Sequence, residues 1–173
     1  MARTLLTLIL LPAFVLTLSS CASDECDDNK NSLPLAEFYS SLPEPQPVSL
    51  DSISIYGIGA PGDSILVDSA ASVGQCHLPF RIDTGETTYV IQYLQQAISE
   101  TGIRDTVTFR YTIDPQFVSS ACGAVYYYDD IRIEHTDHFL DSVSCPGRKI
   151  TNENKVNILM YFRIDESSNA LIH

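Results

Sequence analysis

The stretch from Asp105 to Ile113 constrains the fold more tightly than any other. Val107, Phe109, Tyr111 and Ile113 recur at every second position, with Thr108, Arg110 and Thr112 between them. Successive side chains of a strand point to opposite faces, so this run is a strand with one apolar and one polar face. Such a strand needs a second layer against which to bury its apolar side.

The same alternation returns along the chain. Ile53 and Ile55 oppose Ser52 and Ser54 within residues 48–58. Cys76, Leu78 and Phe80 share a face in Gln75–Ile82, and Tyr89, Ile91 and Tyr93 share one in Thr88–Leu94. Ile158, Met160, Phe162 and Ile164 do so at the close of the domain, in Val156–Ile164. Shorter strands are expected at Leu35–Tyr39, Ile65–Val67 and Leu140–Ser144. Phe117–His135 reads as two short strands joined at Asp129-Asp130, and Asp114-Pro115 as the end of the strand that begins at Asp105. Gln95–Glu100 is one helical turn or a loop. Turn residues punctuate the strands at Gly57 and Gly59, Pro61-Gly62-Asp63, Asp83-Thr84-Gly85-Glu86 and Cys145-Pro146-Gly147. No internal repeat is present. Many short strands so punctuated predict an all-β chain, an antiparallel β-sandwich of immunoglobulin-like or similar type, with a small closed β-barrel as the alternative.

Ahead of the strands lies a different kind of segment. Arg3 is followed by a nearly unbroken apolar run from Leu5 to Leu18, then by Leu18-Ser19-Ser20-Cys21. The run has the length of a signal-peptide core and is short for a membrane span of about 20 residues. Small residues ahead of a cysteine at that point make a lipobox, with Cys21 as the lipidated first residue of the mature chain. A diacylglycerol on its sulfur and a further acyl chain such as palmitate on its amine would give stable anchoring, where one chain is marginal. The alternative is an ordinary secretory signal cut near Ala22. The expected organisation is therefore a leader over 1–20, an acidic tether over 21–33, the sandwich over 34–165 and a frayed tail over 166–173.

Charge narrows the partners. The 173-residue chain has a formal charge of −12, and losing the leader removes Arg3 and no acid. A nucleic-acid ligand is excluded on this ground, because phosphate contacts require a Lys/Arg surface. Apart from Cys21, the cysteines are Cys26, Cys76, Cys122 and Cys145, an even set consistent with two disulfides in an exported protein. Their three possible connectivities are not separable by spacing, and no C-x-x-C pair suggests zinc or redox chemistry.

Few residues gather chemistry. His135, Asp137 and His138, with Glu134 and Asp141 nearby, are the densest set of metal-ligand types. On a strand His135 and His138 would face opposite ways, so a polar hairpin turn is the simpler expectation and no metal or cofactor is expected. Cys122, among small residues, reads as a disulfide or buried thiol before a nucleophile. Gly57-Ile58-Gly59 lacks the Lys and helix of a phosphate loop. Tyr126-Tyr127-Tyr128 could form an aromatic platform for glycan, although alternation sets Tyr127 opposite its neighbours.

The order and spacing of VSLDSISIYGIG (Val48–Gly59), Leu78-Pro79, DTVTFRY (Asp105–Tyr111), VSSACG (Val118–Gly123), His135-Thr136, Asp141-Ser142-Val143 and NILMYF (Asn157–Phe162) carry a resemblance. Over about Cys26 to Phe162 the chain resembles a family of small lipoproteins of Bacteroidetes catalogued as a domain of unknown function. The resemblance implies an exported, anchored, all-β module and lends no activity, substrate or catalytic residue. Cys76 and Cys145 stand outside that pattern, which pairs them with each other and leaves Cys26 with Cys122. Ser23-Asp24-Glu25 is similar to the short acidic surface-export signal of such lipoproteins, here interrupted by Cys26.

The expected function is that of a non-catalytic binding or structural lipoprotein of the bacterial envelope. It would be held at the outer membrane, with exposure at the cell surface as the further expectation, through lipid on Cys21, with an envelope protein or glycan as partner. The alternatives are a glycan-binding accessory protein and a metal-dependent hydrolase built on His135, Asp137 and His138.

Overall fold

The computed structural model describes residues 32–60, 65–70, 72–119, 123–165 and 171. Over these the chain forms two stacked sheets. The strands are β1 (Leu35–Ser40), β2 (Ile53–Gly57), β3 (Ile65–Ala70), β4 (Gln75–His77), β5 (Glu86–Tyr93), β6 (Arg104–Ser119), β7 (Gly123–His135), β8 (Leu140–Ser144) and β9 (Val156–Phe162). A single helical turn, α1 (Gln96–Ser99), joins β5 to β6. One sheet has the order β4-β1-β9-β8 and the other β3-β2-β5-β6-β7, so the architecture is a β-sandwich and the barrel alternative falls away.

Alternation builds the interior. Ala36 and Phe38 of β1, Ile158, Met160 and Phe162 of β9 and Leu140 of β8 face Ile53, Ile55, Ile91, Tyr93, Val107 and Phe109 of the other sheet, all buried. Each of the larger aliphatic and Phe side chains among them contributes about 1.5–3 kcal/mol by leaving water. The runs read from the sequence as apolar faces are those faces.

Four local expectations require correction. The sheets are not wholly antiparallel, since β1 and β9 run parallel, Phe38 beside Met160. Asp114-Pro115 does not end its strand, because β6 continues to Ser119. Past Arg110, β6 pairs only with β7. Pro115 has the parity of Tyr111, whose amide points away from β7 to the Gly85 carbonyl. Its missing N–H therefore faces a side with no ladder to complete. Asp129-Asp130 does not divide two strands but makes a bulge within β7, where Asp130 has a φ of 54°. Arg148 and Lys149 fasten the β8–β9 loop to those acids, at 2.9 Å from Asp130 and 3.1 Å from Asp129. Finally, the C-terminal segment is not all frayed, because Leu171 is buried and bridges to Ile164.

The expected Cys76–Cys145 bridge is not formed, both thiols being free and buried. Register explains why. Cys76 pairs with Ala36, Ala36 with Ile158, and Cys145 follows Ser144, the partner of Leu159. The two cysteines thus close opposite ends of one core row across the sheet. With strands about 4.8 Å apart, three spacings separate them by roughly 14 Å, far beyond disulfide reach. Burial pushes the Cys76 thiol up to about 12 and raises that of Cys145 as well. Cys21, Cys26 and Cys122 lie outside the described residues, and with them the lipidation site and the Cys26–Cys122 pair.

Candidate functional site

The candidate metal ligands His135, Asp137 and His138 are not brought together. His135 ends β7, with its Nδ1 2.9 Å from the Thr136 carbonyl oxygen. The Nδ1 of His138 lies 3.1 Å from Asp105 Oδ1, and Asp137 is exposed. Asp141 pairs instead with Arg163 at 3.1 Å. Among the described residues no three His, Cys, Asp or Glu side chains come together as metal ligands.

The organiser of this loop is Asp105, which the sequence reading treats only as a strand start. Its carboxylate is fully buried. It accepts the Tyr93 hydroxyl and the Thr136 hydroxyl, each at 2.7 Å. It also accepts the backbone amides of His138, Phe139 and Leu140 at 2.9, 2.9 and 3.0 Å. Burial alone would raise its pKa. The bonds from Thr136, the His138 amide, Tyr93 and the Leu140 amide outweigh burial and hold the carboxyl below the usual carboxylate range. The β7–β8 crossover is wrapped around this charge, which is why the histidines and Asp137 diverge. One signal was present: Asp105 shares parity with Val107 and Phe109, so an acid sits on an apolar face.

At the opposite end of the sandwich, three tyrosines of the five-stranded sheet clamp the segment that follows β4. Tyr89 donates to the Pro79 carbonyl, Tyr128 to that of Phe80 at 3.3 Å and Tyr111 to that of Arg81 at 2.8 Å. Thr87 joins in, 2.6 Å from the Tyr111 hydroxyl and accepting the Arg81 amide at 3.0 Å. The Phe80 ring stacks on Tyr111 with centroids 4.6 Å apart and meets Tyr128 edge-on at 5.2 Å. Three successive carbonyls, each fixed from a different strand, make Pro79–Arg81 a rigid wall.

Grooves lie on both sides of that wall. The first, about 430 Å³, is lined by residues including Ile58, Leu66, Pro79, Ile82 and Tyr89. Gly57, the last residue of β2, and Gly59, in the turn after it with a φ of +71°, border it. The second, about 300 Å³, is lined by Ser32, Leu33, Tyr126 and Tyr128 and shares Pro79, Phe80 and Ile82 with the first. An Arg81–Asp83 ion pair, 2.7 Å, sits at the rim.

Tyr126, Tyr127 and Tyr128 form no common platform, and one of them is core, as their alternation leads one to expect. Tyr128 is in the core, and Tyr127 bonds Asn152 at 3.0 Å under the Lys149 ammonium. Tyr126 is half-buried in the second groove, so the rings share no exposed face. A pair that the sequence reading misses lies elsewhere. Tyr39 and Tyr161, on adjacent strands, set their rings 5.8 Å apart on the outer face of the four-stranded sheet. Glu37 beside them accepts the Tyr39 hydroxyl and the Gln75 side-chain amide, both at 2.7 Å.

The fold and these surfaces define an all-β sandwich domain with a buried carboxylate at one end and apolar grooves at the other. The sequence profile described as Family of unknown function (DUF6452) matches residues 52–162, and the chain belongs to that family. No curated protein and no solved structure matches the chain.

Proposed function

We propose that this protein is a membrane-anchored envelope lipoprotein with a non-catalytic binding or structural role. Lipid on Cys21 would hold it, and the finer family reading would be the one resembled in sequence, small lipoproteins of Bacteroidetes. One observation carries the reading: the chain joins the sandwich at Ser32–Leu33, at the end where apolar side chains are exposed. An acidic tether of about ten residues could span roughly 35 Å between that end and the lipid. The non-catalytic part is supported by the way reactive types are used. Asp105, His135 and His138 serve backbone and loop, and the Cys76 and Cys145 thiols are buried. Ser23-Asp24-Glu25 supports outer-membrane, surface-exposed placement.

Detergent phase partitioning of cells making the full chain tests the anchor. The protein should enter the detergent phase, and Cys21→Ala should move it to the aqueous phase as a folded domain. Retention of Cys21→Ala with the membrane would overturn the reading.

A second reading, glycan binding, is favoured by the Tyr39/Tyr161 pair beside Glu37 and Gln75, since rings and planar polar groups on a flat sheet suit a sugar face. Affinity electrophoresis through gels containing soluble β-glucans or mannans reads this directly. Retardation abolished by Tyr161→Ala supports it, and unretarded migration in every gel removes it.

A further inference from the structure

The exposed hydrophobic surface is not scattered. The large hydrophobic side chains exposed among the described residues are Leu33, Ile58, Ile65, Leu66, Ile82 and Phe117. Leu33, Ile58, Leu66 and Ile82 line the two grooves that flank Pro79–Arg81. Ile65 pairs with Tyr56, one residue from Gly57 of the first groove. Phe117, 76% exposed, lies just past the Pro115–Tyr126 pairing on the β6–β7 hairpin, and Tyr126 lines the second groove. The other end of the sandwich differs. There β5 passes through α1 into β6, and Gln96, Ser99, Glu100, Thr101 and Gly102 are exposed. Scattered single hydrophobics need no explanation, but a cluster confined to one end does.

We propose that this apolar end rests on the lipid bilayer, with Ile58, Leu66, Ile82 and Phe117 reaching into the interfacial region. The proposal rests on the anchored reading above and deepens it. Two observations name a lipid surface as the occupant. The chain enters the domain at Leu33, within the cluster, so a short tether from Cys21 brings this end to the membrane before any other. The charge also fits a zwitterionic rather than an anionic surface. Arg81 and Asp83 neutralise each other at the rim, and the chain as a whole is strongly acidic. Tethering supplies a high effective concentration, so the contact can be weak in free solution and still dominate once the chain is anchored. The tyrosine clamp keeps the Pro79–Arg81 wall rigid, so the end presents a formed surface and needs no rearrangement to dock.

The chain contains no tryptophan, so a single introduced one is a clean reporter. Ile58→Trp and Ile82→Trp place it in the cluster at side chains already 54% exposed, and Gln96→Trp places it at the opposite end. Each variant is studied with a hexahistidine tag in place of residues 1–21, on phosphatidylcholine vesicles containing nickel-chelating lipid, so that tethering is independent of native acylation. The expected result is blue-shifted emission at positions 58 and 82, quenched at least twofold by brominated phosphatidylcholine, with position 96 unshifted and unquenched. Equal lack of quenching at all three positions overturns the docking, whatever the fate of Cys21. Quenching at 96 as strong as at 58 and 82 overturns it also, since the domain would then have no preferred face. Absence of acyl mass on native Cys21, with quenching at 58 and 82 intact, would remove the anchor and leave the docking surface standing.

Discussion

The Tyr93 hydroxyl donates to the Asp105 carboxylate at 2.7 Å in a site closed to solvent, linking the end of β5 to the start of β6. The Thr136 hydroxyl and three consecutive backbone amides from the β7–β8 crossover meet the same carboxylate. One side chain therefore fixes how the chain passes from the five-stranded sheet to the four-stranded one.

Replacing Asp105 with Ala should destabilise the domain by at least about 3 kcal/mol, because several buried donors lose their acceptor together. Urea denaturation followed by circular dichroism gives the value. A loss below about 1 kcal/mol would mean that the network is dispensable.

The same carboxylate makes stability depend on acid pH. Its folded pKa is lowered, so its contribution is complete above the unfolded value of about 3.9 and is lost as pH falls through the folded value. The stability gap between the native chain and Asp105→Asn should be constant from neutral pH to about pH 5 and narrow below about pH 4. Denaturation midpoints across that range check it, and a gap that widens on acidification would contradict it.

The tyrosine clamp sets the alkaline limit. Burial raises the hydroxyls of Tyr89 and Tyr111, and pushes Tyr128 up to about 12. These groups stabilise the fold fully below the unfolded value of about 10, and that contribution is lost as pH rises through their folded values. Tyrosinate absorbance should show a late-titrating group that appears with loss of near-ultraviolet dichroism. Tyr111→Phe should cost about 1–2 kcal/mol, from its bonds with Thr87 and the Arg81 carbonyl.

Cys76 and Cys145 should react with a thiol reagent at pH 8 only as the domain opens, and the rate should climb with urea. Both are buried at opposite ends of one core row. Non-reducing peptide mapping should yield no Cys76–Cys145 linked peptide, and finding one would contradict the sheet register.

Gly85 is held close to β6. A Cβ there would sit 2.9 Å from the Tyr111 carbonyl oxygen, and its own carbonyl accepts the Tyr111 amide at 2.9 Å. Gly85→Ala should destabilise by about 2 kcal/mol, whereas Gly102→Ala tests φ strain alone in open space.

The apolar faces are legible in the sequence because strand period is a local property: Val107, Phe109 and Tyr111 declare their side without reference to any partner. What is missed depends on partners distant in sequence. The parallel β1–β9 pairing, the open side that tolerates Pro115 and the row separating Cys76 from Cys145 are all set by strand order. Asp105 is visible as an acid of apolar parity, yet its loop partners lie some thirty residues onward, in a stretch that reads as a polar hairpin turn. Alternation already splits the adjacent tyrosine triplet, while Tyr39 and Tyr161 meet only through the sheet.

The central claim, an anchored lipoprotein, is tested most directly by mass spectrometry of the N-terminal peptide of protein purified from its native envelope. The expected peptide begins at Cys21 and carries the added mass of a diacylglycerol and one further acyl chain. A peptide that begins elsewhere, or an unmodified Cys21, would contradict the claim.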